Sequence, residues 1–276
     1  MNIETTDVIH LGVLGETLGH SLSPEIHEDL LEQQNIKGTY EKYEMNDQEV
    51  LHILDVMKRD QVIGMNVTIP YKEVVYRLVD ELDEHAKKIG AVNTILIENG
   101  ISYGYNTDYI GIISMFKKAD VSLAGKDIVI LGSGGAAKAL IYGFHLEGAA
   151  RITVAARNEK AIDSLKELFP YIHTCTLNRI PGGDILVNTT PVGMYPNAGE
   201  SPVDTSVIRQ FKVAADIVYN PLITEFLKIA RDEGLKIVTG LMMLVDQAIG
   251  SEEIWLHKKL DYNMGNHIHD ELAKQF

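Results

Sequence analysis

Two side chains with the chemistry to move a proton, Lys72 and Asp108, stand just beyond strand-like segments. Lys72 follows Asn66-Val67-Thr68-Ile69-Pro70, and Asp108 follows the turn Asn106-Thr107. Alone, each would more often be an ordinary surface charge, but polar residues at the ends of separate strands converge readily on a cleft. A ketone reductase needs such a proton donor, a hydride donor, and groups that orient the substrate. The hydride donor has its own signature. Gly132-x-Gly134-x-x-Ala137 lies directly between an apolar run at residues 127–131 and a helical pattern through His145. Gly132 permits a tight turn, and Gly134, with Gly135 and Ala136 beside it, lets the backbone approach a pyrophosphate. Small Ala137 lets helix and strand pack closely. Twenty residues after Ala137, where an NAD site usually carries an acid for the ribose hydroxyls, stands Arg157. A guanidinium there suits a 2′-phosphate, and Lys160 adds a second positive charge. NADP(H) is the cofactor these residues imply; the alternative for Arg157 is a solvated surface arginine.

The elements that must position these residues fall into two stretches. Residues 8–15 read as a buried strand, and Ser23-Pro24 opens a helix, with Ser23 at the N-cap and Pro24 at the first helical position. A roughly alternating strand is expected at 39–45. A helix capped by Asp47 follows, with Val50, Leu51, Leu54 and Met57 on one face, then a strand at 64–69 closed by Pro70. Residues 91–97 and 101–105 form a strand pair joined at Asn99-Gly100, a strong hairpin signal. From Lys126 onward strands alternate regularly with helical stretches, at 127–131, 151–156, 185–188, 213–218 and 236–239. That alternation predicts a doubly wound parallel sheet of Rossmann type. The expected class is α/β with two domains. Residues 1–108 plus 241–276 would bind substrate and residues 109–240 would bind NADP, the Met- and Leu-rich helical tail after Gly240 packing back on the first domain.

Composition sets the frame. A chain of 276 residues fits two modest domains, and 45% hydrophobic with 23% charged residues is the balance of a soluble globular protein. No apolar run is long enough to span a bilayer. The polar, acidic start Met1-Asn2-Ile3-Glu4-Thr5-Thr6-Asp7 is wrong for a secretory or transit peptide, so cytoplasm is expected. A net charge of −14 argues against nucleic acid as a partner. The single cysteine, Cys175, excludes an intramolecular disulfide and a cysteine-based metal cage. His20 with His27, and His267 with His269, belong to no recognisable ligand set, so no metal is expected and these read as surface or capping histidines.

Seven ordered blocks across nearly the whole chain resemble the shikimate dehydrogenase family. They begin with Gly15-Glu16-Thr17-Leu18-Gly19-His20-Ser21-Leu22-Ser23-Pro24-Glu25-Ile26-His27, similar to that family's substrate-carboxylate motif. Asn66-Val67-Thr68-Ile69-Pro70-Tyr71-Lys72, Gly90-Ala91-Val92-Asn93-Thr94 and Gly104-Tyr105-Asn106-Thr107-Asp108 follow. Asn188-Thr189-Thr190-Pro191-Val192-Gly193-Met194, Asp216-Ile217-Val218-Tyr219-Asn220-Pro221 and the run from Gly240 to Ala248 complete the set. The resemblance implies reduction of 3-dehydroshikimate to shikimate with NADPH, Lys72 and Asp108 forming the catalytic pair. It implies Ser21 and Ser23 at the substrate carboxylate, and Asn66, Asn93, Asp108 and Gln247 at the ring hydroxyls, with Thr68 and Tyr219 orienting the ring. Thr189 and Met194 would lie along the nicotinamide half of the cofactor and Gly240 near its carboxamide. Departures are Glu16 where the family usually has proline, Glu28 where it has asparagine, and Ala156-Arg157-Asn158 in place of its Asn-Arg-Thr run. Trp255, at the end of a loosely matching run, is expected only to pack.

Small-molecule chemistry by a monomer or homodimer is therefore expected. A quinate/shikimate dehydrogenase of broader substrate use is the nearest alternative. A non-catalytic NADP-binding sensor is less well supported, since Lys72 and Asp108 are both present, and a simple binding module would not need the glycine turn.

Overall fold

The computed structural model describes residues 8–276; the first seven residues, which carry the targeting argument, lie outside that range. The chain divides into two compact units. One comprises the chain up to Thr107 with Val245–Ile268, the other Asp108–Leu244 with His269–Phe276.

The first unit is built on a mixed six-stranded sheet. Its strands are β1 (Ile9–Gly15), β2 (Gly38–Glu44), β3 (Val62–Val67), β4 (Glu81–Leu82), β5 (Thr94–Glu98) and β6 (Ile101–Tyr105), in the spatial order β2-β1-β3-β5-β6-β4. β1 pairs in parallel with both β2 and β3, while β3, β5 and β6 run antiparallel to one another in turn. Successive residues on a strand face opposite sides of a sheet, so neighbours such as Val13 and Leu14, or Leu96 and Ile95, feed two different cores. Leu14, Met65, Val67 and Ile95 pack with Val50, Ile53, Met57 and Val75. Leu11, Val13 and Leu96 pack with Leu31, Tyr40 and Trp255. The β5–β6 hairpin turns through Asn99 at φ 54° and Gly100 at φ 81°, the left-handed pair that a two-residue turn between twisted strands requires.

Local details differ from the sequence reading. The helix after the first motif spans Ser23–Gln33 with Leu22 at the cap position and no side-chain cap, so Ser23 is helical and its hydroxyl is not used on the helix end. Asp47 caps nothing: Gln48 holds the cap position of the next element, and Asn46 Oδ1 closes the turn before it by accepting from the backbone N–H of Gln48 and Glu49. That element is a 3-10 turn, Glu49–His52, leading into the helix Ile53–Arg59. The tighter turn rotates Leu51 out to solvent and puts Val50, Ile53 and Met57 in the core.

The second unit carries β7 (Asp127–Leu131), β8 (Arg151–Ala155), β9 (His173–Cys175), β10 (Ile185–Asn188), β11 (Val213–Asp216) and β12 (Lys236–Val238). All are parallel, in the order β12-β11-β10-β7-β8-β9. The chain begins in the middle at β7, winds outward through β8 and β9, then returns to β10 on the other side. This is the doubly wound order whose switch point, between β7 and β10, is where dinucleotides bind. The helix Gly135–Leu146 is so apolar because it is buried against its neighbours: Phe144 meets Phe116 of the helix Asp108–Lys118 edge-on at 5.5 Å. The edge strand β9 escaped the sequence reading, being three residues long. Its Cys175 is a free, half-buried thiol that burial pushes up, which favours the protonated form. No helix of the described residues is long and apolar enough to cross a membrane.

Candidate active site

In the second unit, β7 ends at Leu131 and the chain reverses at Gly132, whose φ of 116° excludes a side chain on conformational grounds. Space excludes one as well: a Cβ there would lie 2.5 Å from Thr189 Oγ1. Thr189 is held against the turn, both its backbone N–H (2.9 Å) and its hydroxyl (2.7 Å) donating to the Leu131 carbonyl. Gly134 is different. Nothing lies within 4 Å of where its Cβ would stand, so the backbone is open to an incoming group. It caps the helix Gly135–Leu146 with no side-chain acceptor, so the helix's positive end is not neutralised by a capping side chain. Gly135 and Ala136 form the first turn and Ala137 is fully buried beneath it. These features fit a pyrophosphate. After β8, Arg157 is exposed, as is Lys160, and Asn158 Oδ1 caps the next helix by accepting from the Ala161 N–H at 3.2 Å. Asparagine and threonine both serve as N-caps, so the departure at Asn158 preserves that local role.

The loop after β10 is organised by two buried residues that the sequence reading quoted within motifs without assigning them roles. Asn188 Nδ2 donates to the Val192 carbonyl (3.2 Å) and to Asp216 Oδ1 (3.0 Å), while Asn188 Oδ1 accepts from the Thr190 N–H (3.0 Å) and hydroxyl (2.6 Å). Asp216 also accepts from the Val218 N–H (3.0 Å) and the Thr224 hydroxyl (2.7 Å). Despite three donors, burial dominates and raises the Asp216 carboxyl to about 7. Met194 is exposed, and half-buried Tyr219 has its phenol pushed up by burial. At Gly240 a Cβ would strike the Ile217 carbonyl, so glycine is required by the close approach of two backbones.

In the first unit, Asn66, Asn93 and Gln247 come together although β3, the loop before β5 and the helix Leu241–Trp255 supply them. Asn93 Nδ2 donates to Gln247 Oε1 (3.2 Å) and Thr107 Oγ1 (3.0 Å), and Asn93 Oδ1 accepts from the Thr107 N–H at 2.7 Å. Asn66 Nδ2 donates to Ser251 Oγ (2.8 Å), and Asn66 Oδ1 accepts from the Tyr40 hydroxyl (2.7 Å). Thr94 lies 2.8 Å from Ser251, one helical turn from Gln247. All of these are buried, and a fully satisfied network in a low-dielectric interior holds its members in one arrangement. Ser21 is half-buried and Ser23 nearly buried, the Ser23 N–H donating to Ser21 Oγ at 3.3 Å. Thr68 continues the β3 backbone, its N–H donating to the Leu14 carbonyl at 2.9 Å. Tyr71, fully buried with its hydroxyl donating to the Met45 carbonyl at 2.6 Å, anchors the turn from which half-buried Lys72 starts a short helix. Asp108 is buried and opens the helix Asp108–Lys118 of the second unit, one residue after Thr107.

One sequence expectation is corrected here. His27 is neither a surface nor a capping residue: it is fully buried, with Nδ1 3.0 Å from Glu252 Oε1, itself fully buried. It faces Tyr40 ring to ring at 4.3 Å. Tyr40 lay in none of the recognised motifs, and Ser251 only in the loosely matching run to Trp255. Nothing in an alternating strand or an apolar helix marks one hydroxyl as a long-range partner. Among the described residues there is no group of three or more histidine, cysteine, aspartate or glutamate side chains that could hold a metal.

One unit with a parallel sheet of dinucleotide-binding order and a glycine turn at its switch point, and another rich in buried amides and hydroxyls, make the build of an NADP-linked oxidoreductase for a small polar substrate. Residues 13–95 match the family model for the shikimate dehydrogenase substrate binding domain. The chain is 45% identical to the shikimate dehydrogenase (NADP(+)) of Clostridium perfringens, over 96% of this chain and 98% of that one. It superimposes on the crystal structure of shikimate dehydrogenase 1 from Peptoclostridium difficile with a TM-score of 0.90 at 42% identity, covering 97% and 98% of the two chains. Against the Thermus thermophilus enzyme in complex with NADP(H) and shikimate the TM-score is 0.87 at 31% identity, covering 95% and 99%. The chain belongs to the shikimate dehydrogenase family.

Proposed function

We propose that this protein reduces 3-dehydroshikimate reversibly to shikimate, with Lys72 as the proton donor and Asp108 as the residue that orients it. The observation that carries the reading is the buried convergence of Asn66, Asn93 and Gln247 in a chain 45% identical to an NADP-dependent shikimate dehydrogenase. NADPH, when bound, supplies the hydride. The protein's own residues do the rest. Gly132, Gly134, Gly135 and Ala136 accommodate the pyrophosphate, and Arg157 with Lys160 pairs with the 2′-phosphate. Thr189, Met194 and Gly240 border the nicotinamide half. Ser21 and Ser23 donate hydroxyl hydrogens to the substrate carboxylate, as neutral donors suited to an anion. Asn66, Asn93, Asp108 and Gln247 hold the ring hydroxyls, and Thr68 and Tyr219 set the ring's orientation. The Lys72 ammonium delivers its proton to the carbonyl oxygen in the reductive direction and recovers it in the oxidative one. The proposal places the reaction in the cytoplasm, carried out by a monomer or homodimer.

The experiment is a steady-state matrix of shikimate and quinate, each with NADP and NAD, on the wild type and Lys72→Met. Shikimate with NADP should give the highest kcat/KM. Lys72→Met should lower kcat by about two to four orders of magnitude with a much smaller change in shikimate affinity. Near-normal turnover with weakened binding in that variant would leave Lys72 as a binding residue and refute the mechanism.

A further inference from the structure

The Tyr40 hydroxyl stands behind a residue expected at the ring hydroxyls of the substrate. It donates to Asn66 Oδ1 at 2.7 Å. We propose that Tyr40 is a positioning residue for the ring ligand, acting through Asn66 without touching the ligand itself. The inference rests on the function proposed above.

The direction of each hydrogen bond follows from what each atom can do. The Asn93 carbonyl only accepts, and it lies 3.4 Å from one end of the Asn66 amide, which must therefore be Nδ2. Ser251 Oγ, 2.8 Å from the same end, donates its own hydrogen to the Gln247 carbonyl at 3.1 Å and so presents a lone pair to Asn66. That leaves Oδ1 toward Tyr40, whose single proton is committed to it. A flipped Asn66 amide would set oxygen against the Asn93 carbonyl and the Ser251 lone pair, so the phenol and the serine together admit one orientation.

The phenol is itself immobilised. Its ring lies on the His27 imidazole at 4.3 Å with only 8° between the planes. His27 Nδ1 donates to Glu252 Oε1 at 3.0 Å, and Glu252 Oε2 accepts from Gln34 Nε2 at 2.5 Å. Glu252 adjoins Ser251 on the helix Leu241–Trp255, and His27 lies one turn after Ser23 on the helix Ser23–Gln33. The same two helices thus supply His27 and Glu252 against the ring and Ser251 against the other end of the Asn66 amide. Burial raises the Tyr40 hydroxyl well above its ordinary value, and the Glu252 charge adds to that, so the phenol remains a donor throughout the neutral range.

Tyr40→Phe removes the hydroxyl and keeps the ring on His27. One neutral hydrogen bond used for orientation predicts a shikimate KM raised roughly five- to tenfold. Turnover should stay within about twofold and the NADP KM should not change, because a contact equal in ground and transition states moves KM alone. Replacing Tyr40 by 4-aminophenylalanine, which restores an N–H donor at the same place, should return the KM to within about twofold of wild type. A purely structural tyrosine would instead lower the melting temperature and leave the shikimate KM where it was, which would overturn the proposal. Should the phenylalanine variant be too unstable to assay, Ser251→Ala attacks the same amide from its other end and must show the same KM-only signature; an unchanged KM there is equally fatal. A wild-type protein inactive on shikimate would remove the functional reading and this inference with it, whereas an active wild type with unchanged variants removes this inference alone.

Discussion

Replacing Asp216 by asparagine should flatten a specific part of the protein's stability profile. The carboxyl is buried at the end of β11, and burial raises it from the ordinary 3.8 to about 7. A group that holds its proton more tightly folded than unfolded contributes most below the unfolded value. That contribution is lost as pH rises through the folded value, so the window is roughly pH 4 to 7. With those two values, linkage makes the wild type roughly 2–3 kcal/mol less stable at pH 8 than at pH 5 from this group alone. Because the group is almost wholly buried, solvent screening reduces this little. Asparagine copies the neutral carboxyl: Oδ1 still accepts from Asn188 Nδ2 and the Val218 N–H, and Nδ2 donates to Thr224 Oγ1, which accepts as readily as it donates. Urea unfolding followed by far-UV ellipticity at several pH values measures the difference. Fluorescence of Trp255, the only tryptophan, reports the other unit and serves as an internal reference. Asp216→Asn should gain on the wild type by roughly 2–3 kcal/mol between pH 5 and pH 8, and by nothing further above it. Parallel pH profiles for the two proteins would show that Asp216 is ionised in the fold at neutral pH, and that the three donors outweigh burial.

Other outcomes follow from the same structure. Arg157→Ala should weaken NADP by roughly tenfold or more while leaving NAD nearly unchanged, read from KM values for both cofactors, since the lost partner is the 2′-phosphate; equal losses would place Arg157 on the shared part of the molecule. Gly64→Ala would set a Cβ 2.6 Å from the indole of buried Trp255, so unfolding should be easier by about 1–3 kcal/mol with a shift in tryptophan emission. Gly132→Ala combines a positive φ with a clash on Thr189 Oγ1 and should reduce affinity for NADP and NAD alike, measured by calorimetric titration of each cofactor.

The sequence by itself determined whatever depends on neighbours along the chain. The apolar run at 127–131, the glycines after it and Arg157 are a local pattern, because a tight turn, a helix start and a strand end are properties of consecutive residues. Asn99-Gly100 likewise specified its hairpin, and the strand-helix alternation after Lys126 specified a parallel sheet. Tertiary structure alone decided which polar groups are buried together. Asn66 meets Ser251 across 185 residues, His27 meets Glu252 across 225, and Asn188 meets Asp216 across 28. The two-residue strand β4 exists only because β6 offers it a ladder. A buried polar side chain must find a partner or suffer desolvation, but the partner can come from any strand or helix that the packing of apolar faces brings near. Periodicity records which face is apolar. It does not record which hydroxyl crosses the interior to meet which amide, and so Tyr40 passed for one more strand residue until the fold set its hydroxyl against Asn66.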